Sequence, residues 1–435
     1  MIKKLFDNYA GSKVFQNTSW IIAGKCMQML ISFFVGILTA RYLGPSNYGV
    51  ISTATAYTSF FQPLCTLGLS AVFVKMVLDD KDNAGKYLGS GILLRCITSV
   101  LSIFVMTAMV ILLNPDNHTL QIVCFINSFV LLFQGFDLFD YLYQSRYQSK
   151  YSSIIGVIGY AVSAAYKVIL LITGKSVEWF AFATVLDYLS IAMIYMLYTV
   201  PKNKIRLSFS KIQAKQLLNF GKHFILSNLL VVSYAYLDRI MLSKMIGSTA
   251  VGLYTTAVTV CSLWVFILVA IINSMRPSII ESQQTDLKIY EKKIIQLYSI
   301  VIWLSIAVSS FICILSPIII FVLYGKEYTG AVNPLRIITW YTGFSYLGVA
   351  RCIWTVCENK QHYEKYFALG GVIANFCLNL ILIRLLGTEG AALASLITQI
   401  ITNVVMPYCM VETRKNAIMV IKAFNPKNIF YRNIL

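Results

Sequence analysis

The chain contains 435 residues, of which 58% are hydrophobic and only 12% are charged. Soluble domains carry about 25% charged residues, so this composition excludes an ordinary soluble globular protein and indicates a protein that is partly surrounded by lipid. The net charge of +18 would suggest a nucleic-acid partner in a soluble protein. Membrane topology explains it better here, and no nucleic-acid partner is expected.

Twelve apolar runs follow one another along the chain, each long enough to cross a bilayer as a helix of about 20 residues. Helices are expected because a membrane-spanning backbone must satisfy its own hydrogen bonds. The runs cover residues 17–40, 48–74, 88–113, 119–143, 151–173, 177–200, 217–243, 250–275, 294–323, 332–356, 363–386 and 390–411. The sequence therefore predicts an all-α integral membrane protein with twelve transmembrane helices, the first of which is retained rather than cleaved.

The basic residues are distributed unevenly over the gaps between these spans. Most of them lie at the N-terminus, in the gaps after even-numbered spans and in the C-terminal tail. The other gaps hold only Arg41, Lys175, Lys244, Lys326 and Arg384. Because lysine and arginine accumulate on the cytoplasmic side, both termini of this multi-pass membrane protein are predicted to be cytoplasmic.

One short stretch occurs twice. ARYLGPSNYGVISTATAY joins spans 1 and 2, and SKMIGSTAVGLYTTAVTV joins spans 7 and 8. The aligned glycines are Gly44 with Gly247 and Gly49 with Gly252. Glycine permits tight or left-handed turns, so we expect similar turn geometry at both places. The repeat predicts two six-helix bundles with the same topology.

This duplication divides the chain into four parts. The basic stretch PKNKIRLSFSKIQAKQ lies at mid-chain and is the expected linker. The predicted parts are an N-terminal bundle at 1–200, a cytoplasmic linker at 201–216, a C-terminal bundle at 217–411 and a cytoplasmic tail at 412–435.

Polar side chains recur at helical spacing along several spans, including spans 1, 2, 7 and 8. Such a stripe must face protein or water, and hydrogen bonding between helices is the alternative to a shared aqueous cavity. Lys25 lies roughly 12 Å inside span 1 at ~1.5 Å per residue, which is a costly position for a charge and suggests function. Lys25, Gln28 and Gln62 are therefore predicted to contact substrate.

Two arginines near the cytoplasmic ends of second-half spans are further candidates for substrate binding. Arg351 lies in span 10, where Thr355 and Glu358 follow on its face and are expected to orient it. Arg276 closes span 8. The alternative for Arg276 is that its side chain reaches out to the lipid headgroups. Lys75 and Arg95 lie at the cytoplasmic ends of spans 2 and 3, and their side chains are likewise expected to reach the lipid headgroups.

Three carboxylates inside spans are candidates for ion coupling: Asp137, Asp187 and Asp238. Asp137 is expected to pair with Lys167 across spans 4 and 5. Arg239 follows Asp238 directly and is expected to point to a different helix face.

No catalytic signature is visible. The sequence has no Walker loop, no GxSxG and no HExxH, and it has no extramembrane segment large enough for a nucleotide domain. The ten cysteines and three histidines show no metal-ligand spacing. No enzyme activity, cofactor or metal is expected.

The first hairpin, from ARYLGPSNYG to FFQPLCTLGLS, resembles that of the Wzx-type flippases that translocate O-antigen and capsule repeat units. LDRIMLSKMIGSTAVGLYTTA in the second half and MRPSI at the end of span 8 are similar to the same family. These flippases belong to the multidrug, oligosaccharidyl-lipid and polysaccharide exporter superfamily, and the resemblance covers essentially the whole chain.

This resemblance implies two bundles around a cavity that opens alternately to each side of the membrane. It implies a substrate of undecaprenyl-pyrophosphate carrying one oligosaccharide unit, for assembly of lipopolysaccharide O-antigen or capsule. The expected partners are this lipid and the bilayer, with a polysaccharide polymerase and a chain-length regulator as further candidates. The alternatives are an ion-coupled multidrug antiporter of the same superfamily and a membrane polysaccharide polymerase.

Overall fold

The computed structural model describes residues 13–202 and 205–430, and within these ranges the chain forms helices and no strand. We number the α-helices of four or more residues in chain order. The first eight are α1 Lys13–Thr66, α2 Leu69–Asp79, α3 Ala84–Leu113, α4 His118–Phe133, α5 Leu138–Ser145, α6 Ser149–Thr173, α7 Val177–Ile194 and α8 Lys211–Met245. The others are α9 Ser248–Ser262, α10 Val265–Thr285, α11 Leu287–Tyr324, α12 Val332–Cys357, α13 Glu364–Ile400, α14 Met406–Cys409 and α15 Arg414–Ala423.

Seven short 3-10 or π-helical turns join or end these helices within the described residues, and three of them lie near charged residues discussed below. A 3-10 turn at Gln134–Asp137 connects α4 to α5. π-Helical turns follow α7 at Tyr195–Thr199 and α13 at Ile401–Val405. Such turns expose backbone groups that a regular helix would use internally, and they often occur near functional residues.

Nine helical segments of the described chain are long and apolar enough to cross a membrane. They are Gln16–Thr66, Ala84–Leu113, His118–Ser145, Ser149–Thr173, Val177–Lys202, Phe224–Met245, Val265–Thr285, Leu287–Tyr324 and Gln361–Cys409. Gly44 and Gly387 interrupt the longest two with non-helical backbone angles. The predicted all-α, multi-pass membrane protein is confirmed, whereas the count of twelve spans and the two-bundle repeat stay predictions.

The chain divides into two compact units. Unit 1 contains the described residues through Leu43 together with Val50–Val232, and unit 2 contains Gly44–Gly49 together with the described residues from Ser233 onward. The boundary between the two units therefore falls after Val232, inside the continuous helix α8. The domain boundaries drawn from the sequence stay a prediction.

The repeated glycines have two different roles. Gly44 and Gly247 both have positive φ, at 69° and 124°, as the turn motif predicts. Gly49 and Gly252 lie in helices instead. A Cβ on Gly49 would collide with the Ser248 carbonyl, and a Cβ on Gly252 would collide with the Pro45 carbonyl. The two copies of the motif thus meet backbone to backbone within unit 2.

The stretch between α7 and α8 packs against the start of α3 in unit 1. The Ser90 hydroxyl accepts a bond from the Ser210 amide at 2.9 Å and donates to the Ser210 carbonyl at 3.2 Å. Gly85 and Gly89 allow this close approach, because a Cβ on either would overlap the backbone at Arg206 or Ser208. The described part of the predicted linker, from residue 205, is therefore fixed to unit 1.

Candidate functional site

Unit 1 contains a cavity of about 240 Å³ that includes the two candidate residues of the first span. Lys25 and Gln28 enter it from α1, while Gln134 and Asp137 enter it from the 3-10 turn between α4 and α5. Helix α6 closes another side. Its Gly156 leaves room for Gln28, whose amide would collide with a Cβ there. The cavity is therefore shaped by a helix break on one side and a close helix contact on the other.

The charges of this cavity are mixed. Lys25 is exposed, and it interacts electrostatically with Asp137, as do Arg95 and Asp140. Arg95 is only 1% exposed, and its Nε and Nη1 atoms have no hydrogen-bond partner. Two cations thus compete for one half-buried carboxylate.

The prediction that the Arg95 side chain reaches the lipid headgroups is wrong. The sequence places Arg95 near the start of a span, but α3 begins earlier, at Ala84, and the chain at Ser210 covers its first turns. The arginine is therefore enclosed by protein. A buried, incompletely bonded guanidinium is costly, so its position beside the Asp137 carboxylate calls for a functional explanation.

The remaining first-half candidates lie elsewhere. Gln62 is half-buried near the end of α1 and is not among the residues that line this cavity. Asp187 on α7 faces Lys167 on α6, with 3.9 Å between the carboxylate oxygen and Nζ. The expected pair of Asp137 with Lys167 is wrong, because Lys167 is placed against Asp187.

Unit 2 contains a second cavity, of about 220 Å³, around Asp238. The carboxylate is 4% exposed and accepts hydrogen bonds from the Tyr254 and Ser395 hydroxyls, the latter at 3.1 Å. The Arg239 amide donates to its other oxygen at 2.9 Å. The Arg239 guanidinium lies over the Tyr236 ring, 4.8 Å from its centroid. Asp238 and Arg239 both line this one cavity. The expectation that they point to different helix faces therefore holds only for the carboxylate and the guanidinium, which have different partners.

Arg351 is buried in unit 2 and ion-paired. Its Nη2 and Nε lie 3.0 and 3.3 Å from the Glu364 oxygens, and its Nη1 donates to the Thr402 carbonyl at 3.0 Å. That carbonyl belongs to the π-helical turn after α13. Glu364 therefore orients Arg351 in place of the expected Glu358. Arg276, by contrast, is exposed on α10.

Residues 38–333 match the family described as polysaccharide biosynthesis protein, which is more than half of the chain. The chain belongs to this family. A comparison with curated protein sequences finds no match.

Solved structures show that this polysaccharide biosynthesis protein shares its fold with known transporters. The lipid II flippase MurJ in an inward closed conformation is 15% identical, with a TM-score of 0.71 over 94% of this chain and 92% of that one. An inward-facing multidrug resistance MATE transporter of the MOP superfamily is 14% identical, with a TM-score of 0.70 over 91% and 96%. A MOP superfamily transporter from Pyrococcus furiosus is 14% identical, with a TM-score of 0.50 over 94% and 91%.

Within this family member, the structure brings together some predicted residues and adds others. Lys25, Gln28 and Asp137 share one cavity. The sequence pattern assigned Arg95 to the lipid headgroups rather than to this cavity, and it gave no role to Tyr254, which bonds to Asp238. A buried arginine inside an apolar helix is a signal the sequence does carry, since charges at membrane depth suggest function. The hydroxyl of Tyr254 carries no such signal before the fold places it.

Proposed function

We propose that the protein is a flippase that moves undecaprenyl-pyrophosphate-linked oligosaccharide units across the bacterial inner membrane by alternating access, for O-antigen or capsule assembly. The family match and the transporter fold support a carrier in polysaccharide biosynthesis. The twelve-span topology with cytoplasmic termini and two similar bundles is part of this proposal. The lipid carrier, the bilayer and, further on, a polymerase and a chain-length regulator are the proposed partners.

The observation that carries the proposal is the exposed ammonium of Lys25 in a polar cavity of a membrane helix bundle. A pyrophosphate carries about two negative charges, and its removal from water is costly unless cations and donors replace the water. Lys25 supplies the cation, while Gln28 and Gln134 supply amide donors. The aromatic hydroxyls of the same cavity suit the polar sugar.

Asp137 suggests how substrate binding is coupled to an ion. While Asp137 is ionised, it attracts Lys25 and competes with the pyrophosphate. Protonation or cation binding at Asp137 would release Lys25 to the substrate. Asp238 is the second proposed coupling carboxylate, because it is buried and accepts its hydrogen bonds from two hydroxyls and a backbone amide. Asp187 is the weakest of the three candidates, since Lys167 balances its charge.

The other proposed substrate residues differ in their exposure and in the contacts that they already make. Arg276 is exposed and remains a candidate for capturing the headgroup. Arg351 already uses its donors on Glu364 and Thr402, which favours a role in positioning α12 against α13. Gln62 is half-buried on α1, and its contact with substrate is a proposal that rests on the polar stripe alone.

The test is complementation of a bacterial strain that lacks its repeat-unit flippase but retains the cognate glycosyltransferases. We expect Lys25→Ala to reduce finished surface polysaccharide at least tenfold at unchanged protein level, and Lys25→Arg to retain most of it. Lys175→Gln is the matched control, because Lys175 lies in a short connection beside Trp179. Normal polymer with Lys25→Ala would exclude Lys25 from the pathway.

One observation favours a second candidate, an ion-coupled antiporter for cationic drugs. The unit 2 cavity contains a buried carboxylate and several tyrosines, and aromatic rings with an acid suit organic cations. In that case Asp238→Asn would abolish drug resistance in an efflux-deficient strain, while Lys25→Ala would leave it intact.

A further inference from the structure

Helix α15 lies just beyond the last membrane-spanning segment and is fixed to unit 2 on one face. The segment Gln361–Cys409 ends only a few residues before α15 begins at Arg414. The Asn416 amide donates to the Tyr298 hydroxyl of α11 at 2.6 Å, and both residues are buried. Ala417, Met419, Val420 and Ala423 are also buried. The helix is therefore held against α11, and it begins just after the last segment that is able to cross a membrane.

The opposite face of α15 is apolar and uncovered. Ile418, Ile421 and Phe424 are 41%, 54% and 48% exposed. At 100° per residue these three side chains fall within one continuous sector of the helix surface. These three side chains do not pack into the protein core, because the buried residues of α15 fill the contact with α11. Another apolar phase must cover them.

Cations lie along one border of this apolar sector. Lys415 and Lys422 occupy the adjoining part of the same helix surface, and Lys427 follows in the next turn. Arg414, in the first turn, lies between Ile418 and Ile421 on the apolar sector itself. All four are exposed. Lys415 is paired with Glu291 at 2.6 Å, so Lys422 and Lys427 carry the remaining positive charge of this border. The Arg414 Nε donates to the Tyr408 carbonyl at 3.0 Å. An apolar strip beside a basic strip is the pattern of helices that lie in the plane of a membrane surface.

We propose that α15 is an interfacial helix that binds the anionic phospholipids of the leaflet next to it. Its three apolar side chains insert at the boundary of the acyl chains, and the neighbouring cations contact lipid phosphates. The location of the helix favours lipid over a protein partner, because the helix begins just after a membrane-spanning segment and packs against another one. Basic residues near an anionic surface each strengthen association about fivefold.

The bonds to α11 give this contact a structural consequence. The Gln296 amide of α11 donates to the Ile429 carbonyl at 3.1 Å, so the turn after α15 is tied to the same helix. Lipid that binds α15 therefore also anchors the first turns of α11. The proposal uses no assumption about the transported substrate.

The experiment places a photo-crosslinking amino acid at Phe424 in the full-length protein, reconstituted in lipid nanodiscs. With phosphatidylglycerol in the bilayer we expect a phospholipid adduct on the peptide that contains residue 424. In pure phosphatidylcholine the yield should fall several-fold. Lys422→Gln with Lys427→Gln should reduce the yield in the anionic bilayer by an order of magnitude.

The matched control is Lys211→Gln with Lys215→Gln, because both lysines are exposed on α8 of unit 1. It should leave the crosslink at 424 unchanged. Equal yields in both lipids would overturn the proposal, as would a protein adduct in native membranes in place of lipid. The comparison between lipids uses the unaltered lysines, so it decides the question even where the double substitution impairs folding.

Discussion

The pair of Arg351 and Glu364 allows a direct test of whether Arg351 contacts substrate or supports the fold. The arginine side chain is 5% exposed and the glutamate side chain 31%. Removing one partner of a buried ion pair costs about 3–5 kcal/mol, and less when the remaining charge can return to water. Glu364→Gln strands the buried guanidinium, whereas Arg351→Gln leaves a carboxylate that water can reach.

We therefore expect an asymmetric result. Glu364→Gln should lower the free energy of unfolding by about 4 kcal/mol, and Arg351→Gln by about 2 kcal/mol because the remaining carboxylate is partly solvated. Arg351→Glu should be worse than either, since two carboxylates would then face each other. The double variant with both glutamines should recover part of the loss, because it leaves no unpaired charge.

The assay is thermal unfolding in detergent, together with surface polysaccharide measured per folded molecule. The exposed pair of Lys415 with Glu291 is the control, and Lys415→Gln should change stability by less than about 1 kcal/mol. If Arg351→Gln has wild-type stability but no polymer, the structural interpretation of Arg351 is refuted and its assignment to substrate binding is restored.

Three further predictions concern the two units. Arg95→Gln should weaken binding of a short prenyl pyrophosphate probe severalfold, measured in detergent, because Asp137 then holds Lys25, the remaining cation. Adding Asp137→Asn should restore binding, and a double variant that still binds weakly would refute this account. Gly49→Ala should lower the free energy of unfolding by about 1–3 kcal/mol, whereas Gly36→Ala, with no atom within 4 Å, should raise it by about 0.5 kcal/mol in the same melting assay. Asp187→Asn should leave polysaccharide assembly near normal, because Lys167 already balances the Asp187 charge. A variant that no longer assembles polysaccharide would make Asp187 a strong candidate for ion coupling.

The helices and the repeated turn could be predicted from the sequence, because both depend on local signals. Apolar runs of sufficient length become helices in lipid wherever they occur. Gly44 and Gly247 adopt positive φ, which the backbone favours at a residue without a side chain. The contact between the helices at Gly49 and Gly252 could not be read in the same way, since it depends on two segments far apart in the sequence.

The partners of buried charges were the least predictable part. Glu358 lies two turns after Arg351 in the sequence, but α12 ends at Cys357 and Asn359 turns the chain with a φ of 55°. Glu364 then begins the next helix and faces back to the arginine. Helical spacing identifies neighbours only while the helix continues, so the true partner lay outside the pattern.

The two cavities differ in a way that suits two different tasks. In unit 1 the cation Lys25 is exposed, and a site for a hydrated headgroup with an attached oligosaccharide must be open in this way. In unit 2 Asp238 is 4% exposed and bonded to hydroxyls, and a carboxylate buried in this way suits a small ion. A site that binds substrate must tolerate bulk and water, whereas one that senses an ion depends on the cost of a buried charge. We therefore propose that the headgroup binds in unit 1, that Asp238 is the stronger candidate for ion coupling, and that Asp137 links ion binding to the release of Lys25.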